Sequence, residues 1–572
     1  MITTISHNLL NTILKQHLSL LELEDALSNI GMELKNVDGD SLEIEITPDR
    51  LDLLGAVGLG RALRSFLEKG FQPKYEVQPS DYQVIISNKV KGIREHTRCV
   101  VVKDIALNEE SLQEIITLQE KLHATLARGR MRGAIGVYPL DKINFPITFT
   151  ADKPEAISFT PLGETKDMTA DKILLEHETG KVYAHLLANK NLYPYFIDAQ
   201  KNILSLPPLI NSESTGRITA QTTDLFIECS GDEEAILNEL LTYISTICAE
   251  LGGTLYEVAC VYADGKTVMS PKVETKQQCF SLDSLQERIG IICTREQIEK
   301  LLNKMMYFVK HEENSSTMAA SLSPHSSHVA SEPENHWILG YPSFRFDIWH
   351  EVDVVDDIAR AYGYNNIALT QADVVSFGGQ LPLTELKDQL TDVAVGLGFL
   401  ENYTFALTDK DEQRTNMNLD SDEQDFIPIA NGSYSQGMLR TSLLPQQLQT
   451  LVHNKNRPLP QKLCEGAYVV LPDASADVKA RNELHFVSLI SDTSTTFTQI
   501  KQVLDVLLES RGFSCTIQPR KHPSYIEGRC GTILINNKPA GLIGEINPLV
   551  LERFGLTAPV AAFECNVELL LD

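Results

Sequence analysis

FRFDIWHEVDVVDDIARAYGYNNI, from Phe344 to Ile367, is the stretch whose reading decides the rest of this chain. Asp353, Asp356 and Asp357 stand at i, i+3 and i+4, a spacing that puts three carboxylates on one face of a helix. Val352, Val355, Ile358, Ala359 and Tyr362 recur at helical spacing beside them and predict its apolar stripe. Asp347 lies just before the helix, where Pro342 and Phe344–Ile348 suggest a strand leading in. Four carboxylates so close together repel one another. Two readings fit: an acid-rich helix start favoured by the macrodipole and facing solvent, or an oxygen-ligand site for a hard divalent cation. Charge pattern alone favours the first.

Outward from this stretch, the length of 572 residues exceeds what one hydrophobic core serves and suggests about three to five domains. A net charge of -27 repels phosphate backbones on average, so a nucleic acid would need a local basic patch or a basic partner chain. The ten cysteines are scattered singly, with no Cys-x-x-Cys pair, which argues against a zinc knuckle or a thioredoxin-like motif. MITTISHNLLNTIL lacks the charged and apolar regions of a signal peptide. No segment approaches the ~20 apolar residues of a bilayer span. A cytoplasmic protein with reduced thiols and no membrane contact is therefore expected.

Local pattern divides the chain into four parts with an α+β multidomain character. Residues 1–80 form an α/β module, with helical spacing over Leu18–Ile30 and Leu51–Leu67 and strand alternation over Leu42–Ile46. Residues 85–265 are strand-rich, with short apolar runs at Cys99–Val102, Ala134–Val137 and Leu225–Glu228, a loop over Pro207–Arg217, and a long helix over Asp232–Leu251. Residues 268–370 hold helices at Ser281–Arg288 and Arg295–Tyr307 and a Ser-, His- and Ala-rich flexible insertion, 311–336, that has no apolar period. His325, His328 and His336 in and beside that insertion can bind metal, but a disordered surface loop is the better reading. Residues 375–572 have the texture of an antiparallel sheet with helices: helix at Leu386–Leu397, strand at Glu401–Leu407, helix at Thr441–His453, strand at Ala467–Leu471, and a hairpin with its tip at Asn536–Asn537.

The quoted stretch resembles a module of the phenylalanyl-tRNA synthetase β subunits of the archaeal and eukaryotic type. That module reads Pro-x-x-Arg-x-Asp-Ile, then Asp, then an acidic pair, then Ala-x-x-Tyr-Gly-Tyr-Asn. Here those positions are Pro342, Arg345, Asp347, Ile348, Asp353, Asp356, Asp357, Ala359, Tyr362, Gly363, Tyr364 and Asn365. The resemblance implies that Asp347, Asp353, Asp356 and Asp357 bind Mg2+ where the subunit meets its catalytic α partner. Asp356 replaces a usual Glu and has the shorter reach. The resemblance continues at Ile46–Gly60, Arg128–Gly136 with Asp141, Leu204–Thr219, Leu439–Pro445, Gly528–Cys530 and Gly541–Pro548. It implies a tRNA-editing-like domain at 85–265, a small winged-helix-like magnesium module at 268–370, and a class II synthetase-like, non-catalytic domain at 375–572. It further implies an (αβ)2 heterotetramer that charges tRNA(Phe), with ATP and phenylalanine bound mainly by the α subunit.

Two further features bear on chemistry. After residue 375 the chain lacks both the Phe-Arg-x-Glu context and the late Gly-rich turn ending in Arg that a class II site needs for phosphate. GLIGEINPLVLERFG offers Glu545 and Asn547 there, and Arg440 and Arg529 read as structural or interface residues. Gly265–Thr267 is no phosphate loop, because Cys260 stands where the first Gly is needed.

An apolar pocket rejects an added hydroxyl by only ~10²-fold, so a phenylalanine-selecting synthetase gains from hydrolysing tyrosyl esters at a second site. Asn211, Thr219 and Glu228 are the candidate editing residues, with Glu228 accepting from the tyrosine hydroxyl. The bland alternatives are a turn residue, a strand residue and a solvated strand-end charge. Arg128, Arg130 and Arg132 either touch the tRNA end or form a solvated basic hairpin tip. Two other functions stay open: a free-standing aminoacyl-tRNA deacylase, and a scaffold subunit with an inactive editing domain.

Overall fold

The computed structural model describes residues 1–68, 71–310, 336–371, 376–419, 426–430 and 437–571, and divides into two compact units, Met1–Gln371 and Ala372–Asp572. Both mix helices with strand-rich sheets. No helix among the described residues is long and apolar enough to cross a membrane.

In the first unit, Ser41–Glu45 is the middle strand of a three-stranded sheet, flanked by Ile2–Ser6 and Glu33–Asp38. Its alternation buries Leu42 and Ile44 completely. Helix Leu20–Asn29 begins at a capping box between Ser19 and Glu22. The helix expected over Leu51–Leu67 is broken into a short turn, Leu51–Leu53, and a helix, Ala56–Glu68. The Tyr243 hydroxyl donates to the Asp52 carbonyl at 2.7 Å, which takes that carbonyl out of a helical ladder.

The large sheet has eleven strands among the described residues, and its core is the antiparallel set His96–Lys103, Leu225–Gly231 and Gly133–Pro139. Leu225–Gly231 is buried at every position. One face of this core is covered by helices Glu109–Ala124 and Glu234–Glu250. Tyr138, Phe149, Phe196 and Phe226 fill the other, with Phe149 and Phe196 stacked at 4.2 Å.

Beyond it, His336–Tyr341 runs between Lys276–Ser281 and Phe308–Lys310, and helices Leu282–Ile289, Arg295–Lys304 and Glu351–Tyr362 pack around them. Residues 311–335 of the expected insertion, with His325 and His328, lie outside the described residues; His336 opens the central strand instead. Two expectations for the quoted stretch need correction. Phe344–Ile348 forms no strand, and the helix turns Val354, Val355, Ile358 and Ala361 inward while Val352 is exposed.

The second unit is a seven-stranded sheet, antiparallel except where Leu400–Glu401 runs parallel to Gln461–Pro472. Helices Pro382–Gly396 and Phe497–Glu509 cover one face; Leu444–His453 and Pro548–Phe554 cover the other. Asn536 and Asn537 take φ of 51° and 61° at the hairpin tip, the left-handed pair a tight antiparallel turn requires. The strand expected over Glu401–Leu407 is interrupted. Thr404 donates its N–H and hydroxyl to the Glu465 carboxylate, at 3.1 and 2.7 Å, and leaves the ladder.

Candidate functional site

Glu228 sits mid-strand, opposite Gly136 on one neighbour and Cys99 on the other. Its carboxyl is 2% exposed, so it is no solvated strand-end charge. Gly136 is what makes room: a Cβ there would collide with Glu228 Oε1 and the Tyr138 hydroxyl. Tyr138 Oη lies 2.7 Å from Ser205 Oγ, 3.2 Å from Glu228 Oε1 and 3.4 Å from Asn211 Oδ1. Glu228 Oε2 is buried and makes no hydrogen bond. Burial pushes the Glu228 carboxyl up to about 8, against the pull of the buried Arg94 guanidinium and of the Tyr138 and Ser230 hydroxyls. It is therefore mostly a neutral acid at pH 7.

Glu228, Ser205 and Asn211 border a cavity of about 510 Å³. Asn211 ends a two-residue strand, donates its amide to the Val137 carbonyl at 3.3 Å, and packs so tightly that Gly216 has no space for a Cβ. Across the cavity, Ile135 N–H donates to His123 Nε2 at 2.8 Å, which leaves the proton on Nδ1, 3.3 Å from Glu120 Oε1. Burial lowers the His123 pKa and keeps the ring neutral. Burial opposes ionisation of Glu120, yet His123 and Arg130 together hold its carboxyl down at about 2.

The structure brings Asn211 and Glu228 together and leaves Thr219 out. Thr219 lies in an exposed turn, where its hydroxyl accepts from Gln221 N–H at 3.3 Å, and it does not line the cavity. The three arginines separate as well. They follow helix Glu109–Ala124 in a helix-to-strand turn, not a hairpin tip. Arg130 donates to the carbonyls of Pro208 and Leu209 at 3.2 and 2.8 Å and pairs with Glu120 at 2.9 Å, so it fastens the cavity wall. Arg132 pairs with Glu233, and Arg128 is exposed. Tyr138, Ser205 and His123 were not singled out from sequence. The only signal for Tyr138 is its place two residues after Gly136, on the same strand face.

The four acids of Phe344–Ile367 go to different partners. Asp353 Oδ2 accepts from the backbone N–H groups of Trp349 and His350, each at 2.8 Å, and caps the helix. Asp356 pairs with Arg360 at 2.8 Å and accepts from the Tyr364 hydroxyl at 2.9 Å. Asp347 and Asp357 share the fully buried Arg345, at 2.7 and 2.6 Å, and the Tyr307 hydroxyl donates to Asp357 at 2.7 Å. Among the described residues no three His, Cys, Asp or Glu side chains stand where they could hold one metal ion. As arranged, these acids do not fit the magnesium site expected of them: each has a partner within the protein.

Residues 279–364 match the model of the tRNA synthetase B5 domain, and residues 367–567 that of the phenylalanyl tRNA synthetase beta chain CLM domain. The phenylalanine–tRNA ligase beta subunit of Pyrococcus horikoshii is 35% identical over 98% of both chains. The chain belongs to the family of phenylalanine–tRNA ligase β subunits. The β subunit of Archaeoglobus fulgidus is 31% identical over 96% of this chain and 94% of its own. A crystal structure of an N-terminal fragment of the Pyrococcus horikoshii β subunit superposes with a TM-score of 0.57 at 33% identity, covering 63% of this chain and 99% of the fragment. Membership of this β-subunit family makes the chain a component of a ligase.

Proposed function

We propose that this chain pairs with an α subunit in an (αβ)2 phenylalanine–tRNA ligase and that its cavity hydrolyses tyrosyl esters of tRNA(Phe). One observation supports the second half most directly: a buried, mostly neutral Glu228 borders a cavity of about 510 Å³ with one oxygen unpaired. A buried carboxyl with an unpaired oxygen gains a hydrogen bond if a ligand hydroxyl displaces its cover and reaches it, and in this reading that gain favours tyrosine over phenylalanine. Ser205 and Asn211 close the same polar end, and the Arg130 bonds to Pro208 and Leu209 hold that loop in place. The activating chemistry belongs elsewhere. In the second unit, which we read as a class II-like fold, Arg440 is buried and bound to Glu465 at 3.1 Å and to the Tyr468 carbonyl at 2.9 Å. Glu545 accepts from Phe497 N–H and pairs with Arg529. Arg440 is committed inside the protein, while Arg529 is an exposed partner of Glu545; we assign ATP and phenylalanine to the α subunit. The first unit's 268–370 module, winged-helix-like in this reading, contributes to assembly.

The test is to incubate the purified αβ complex with Tyr-tRNA(Phe) and follow release of tyrosine. Hydrolysis well above the rate in buffer is expected; a rate equal to buffer overturns the editing half and leaves assembly as the role of this chain.

A further inference from the structure

The turn that follows helix Glu109–Ala124 is strained, and contacts within the protein account for only part of it. Arg128, Gly129 and Arg130 are left-handed in succession, with φ of 46°, 63° and 66°. Residues with a Cβ enter that region singly and at a cost; glycine enters it freely. Backbone bonds wind the turn around His123, whose carbonyl accepts from Gly129 N–H at 2.7 Å and from Arg130 N–H at 3.3 Å. For Arg130 the side chain offsets the strain. Its guanidinium bonds the Pro208 and Leu209 carbonyls and Glu120, and lies 4.3 Å from the centre of the Tyr183 ring.

Arg128 has no such compensation. It is exposed, and among the described residues its guanidinium has no hydrogen bond or ion pair. Glu233 feels its charge, but Arg132 already holds that carboxylate at 2.7 and 2.5 Å. Glu120, ionised at pH 7, is taken by Arg130 and His123. Three guanidinium groups thus share two carboxylates, and the unmatched one stands in solvent two residues before Arg130, which lines the cavity. Beside it, Met131 is 60% exposed, and Ile116 on the cavity lining is 38% exposed, so apolar surface flanks the free cation. Across most of this chain, with its net charge of -27, a phosphate meets repulsion.

We propose that Arg128 binds a backbone phosphate of the tRNA strand that brings the ester to the cavity. The left-handed turn fixes the Arg128 backbone beside the cavity lining, and a phosphate completes the pairing that the protein leaves open. A planar guanidinium fork suits a phosphate oxygen pair, and Met131 offers the adjoining sugar an apolar contact. This rests on the editing reading above and adds to it the point at which an acidic chain grips nucleic acid.

The αβ complex is titrated with tRNA(Phe) carrying tyrosine through a 3′ amide, which survives where the ester is hydrolysed, and Kd is read by fluorescence anisotropy over a range of salt. Arg128→Gly should reduce the slope of log Kd against log salt by about 0.7–0.9, the share of one phosphate contact. It should also raise KM for the tyrosyl ester more than it lowers kcat. Arg128→Lys keeps the charge and should keep the slope. Glycine relieves the left-handed strain, so the Arg128→Gly complex should melt at the parent's temperature or above it. A slope unchanged in Arg128→Gly, or one that falls equally in Arg128→Lys, overturns the proposal. A lower melting temperature overturns it too, because the strain would then be offset inside the protein. If the parent complex hydrolyses no ester yet the slope falls as expected, the editing reading fails and the phosphate contact stands.

Discussion

Replacing Arg345 by Met tests what the acids of the quoted stretch are for. Arg345 is 1% exposed and gives Nη2 to Asp347 and Asp357 at 2.7 and 2.6 Å and Nη1 to the Met305 carbonyl at 3.1 Å. Methionine refills most of the apolar stem, so the change removes charge more than volume. It leaves two carboxylates with side-chain exposures of 11% and 6% without their paired cation, with only the field of Arg50 still acting on Asp347. Breaking a buried pair in this way costs about 3–5 kcal/mol. The chain's two tryptophans, Trp337 and Trp349, both lie in this module, one buried and one exposed, so urea unfolding followed by tryptophan fluorescence reads it directly. With a slope of about 1–3 kcal/mol per molar urea, the midpoint should fall by about 1 M or more. Adding Asp347→Asn and Asp357→Asn to the Met variant removes the stranded charges and should recover most of the loss. A Met variant within about 1 kcal/mol of the parent, or one that the two asparagines fail to rescue, would refute the assignment of these acids to Arg345.

Five smaller predictions go with it. Asp353→Ala removes a helix cap and should cost about 1 kcal/mol in the same fluorescence assay, whereas Asp356→Asn, on an exposed pair, should cost under about 1 kcal/mol. Glu228→Ala should slow release of tyrosine from Tyr-tRNA(Phe) by about 10- to 100-fold while leaving phenylalanine attachment by the complex unchanged. Arg130→Met unfastens the Pro208–Leu209 wall and should raise KM for the tyrosyl ester more than it lowers kcat. In the second unit burial disfavours the His485 imidazolium, but Glu483 and Glu564 outweigh it and lift the pKa to about 9. A raised folded-state value stabilises fully below the unfolded value of about 6.5 and is lost as pH rises through about 9. Stability measured from pH 6 to 10 should therefore fall across that window, and the slope should be smaller in His485→Gln.

Much of this architecture was legible because period and punctuation are local. Leu42 and Ile44 alternate as a half-buried strand must, and Asn536–Asn537 announces its own turn. What failed were places where a distant side chain competes with the backbone ladder. Tyr243 breaks the helix at Asp52, and Glu465 draws Thr404 out of its strand; neither partner is visible within a local window. The cavity shows the same limit. Glu228 and Asn211 stood out as polar residues in an apolar strand and in a loop, but Tyr138 looked like one more core aromatic until its hydroxyl was seen between Ser205 and Glu228. Thr219 closes the Leu204–Thr219 segment that carries the resemblance, yet its hydroxyl is used within its own turn.

The acids of Phe344–Ile367 argue the point more sharply. Spacing of i, i+3 and i+4 places Cβ atoms on one face; it does not say which way each carboxylate turns or what it meets. A hard cation needs several oxygens converging on one point, and that condition is stricter than sharing a face. Here the competing cations were inside the same stretch. Arg345 stands two residues before Asp347, and Arg360 stands four after Asp356, the spacing at which a helix pairs opposite charges. Guanidinium groups have rigid planar forks that fit carboxylates, and the Tyr307 and Tyr364 hydroxyls complete the partners of Asp357 and Asp356. Reading the acids together with their arginines, instead of apart from them, turns a run of repelling charge into one buried cluster, one cap and one surface pair.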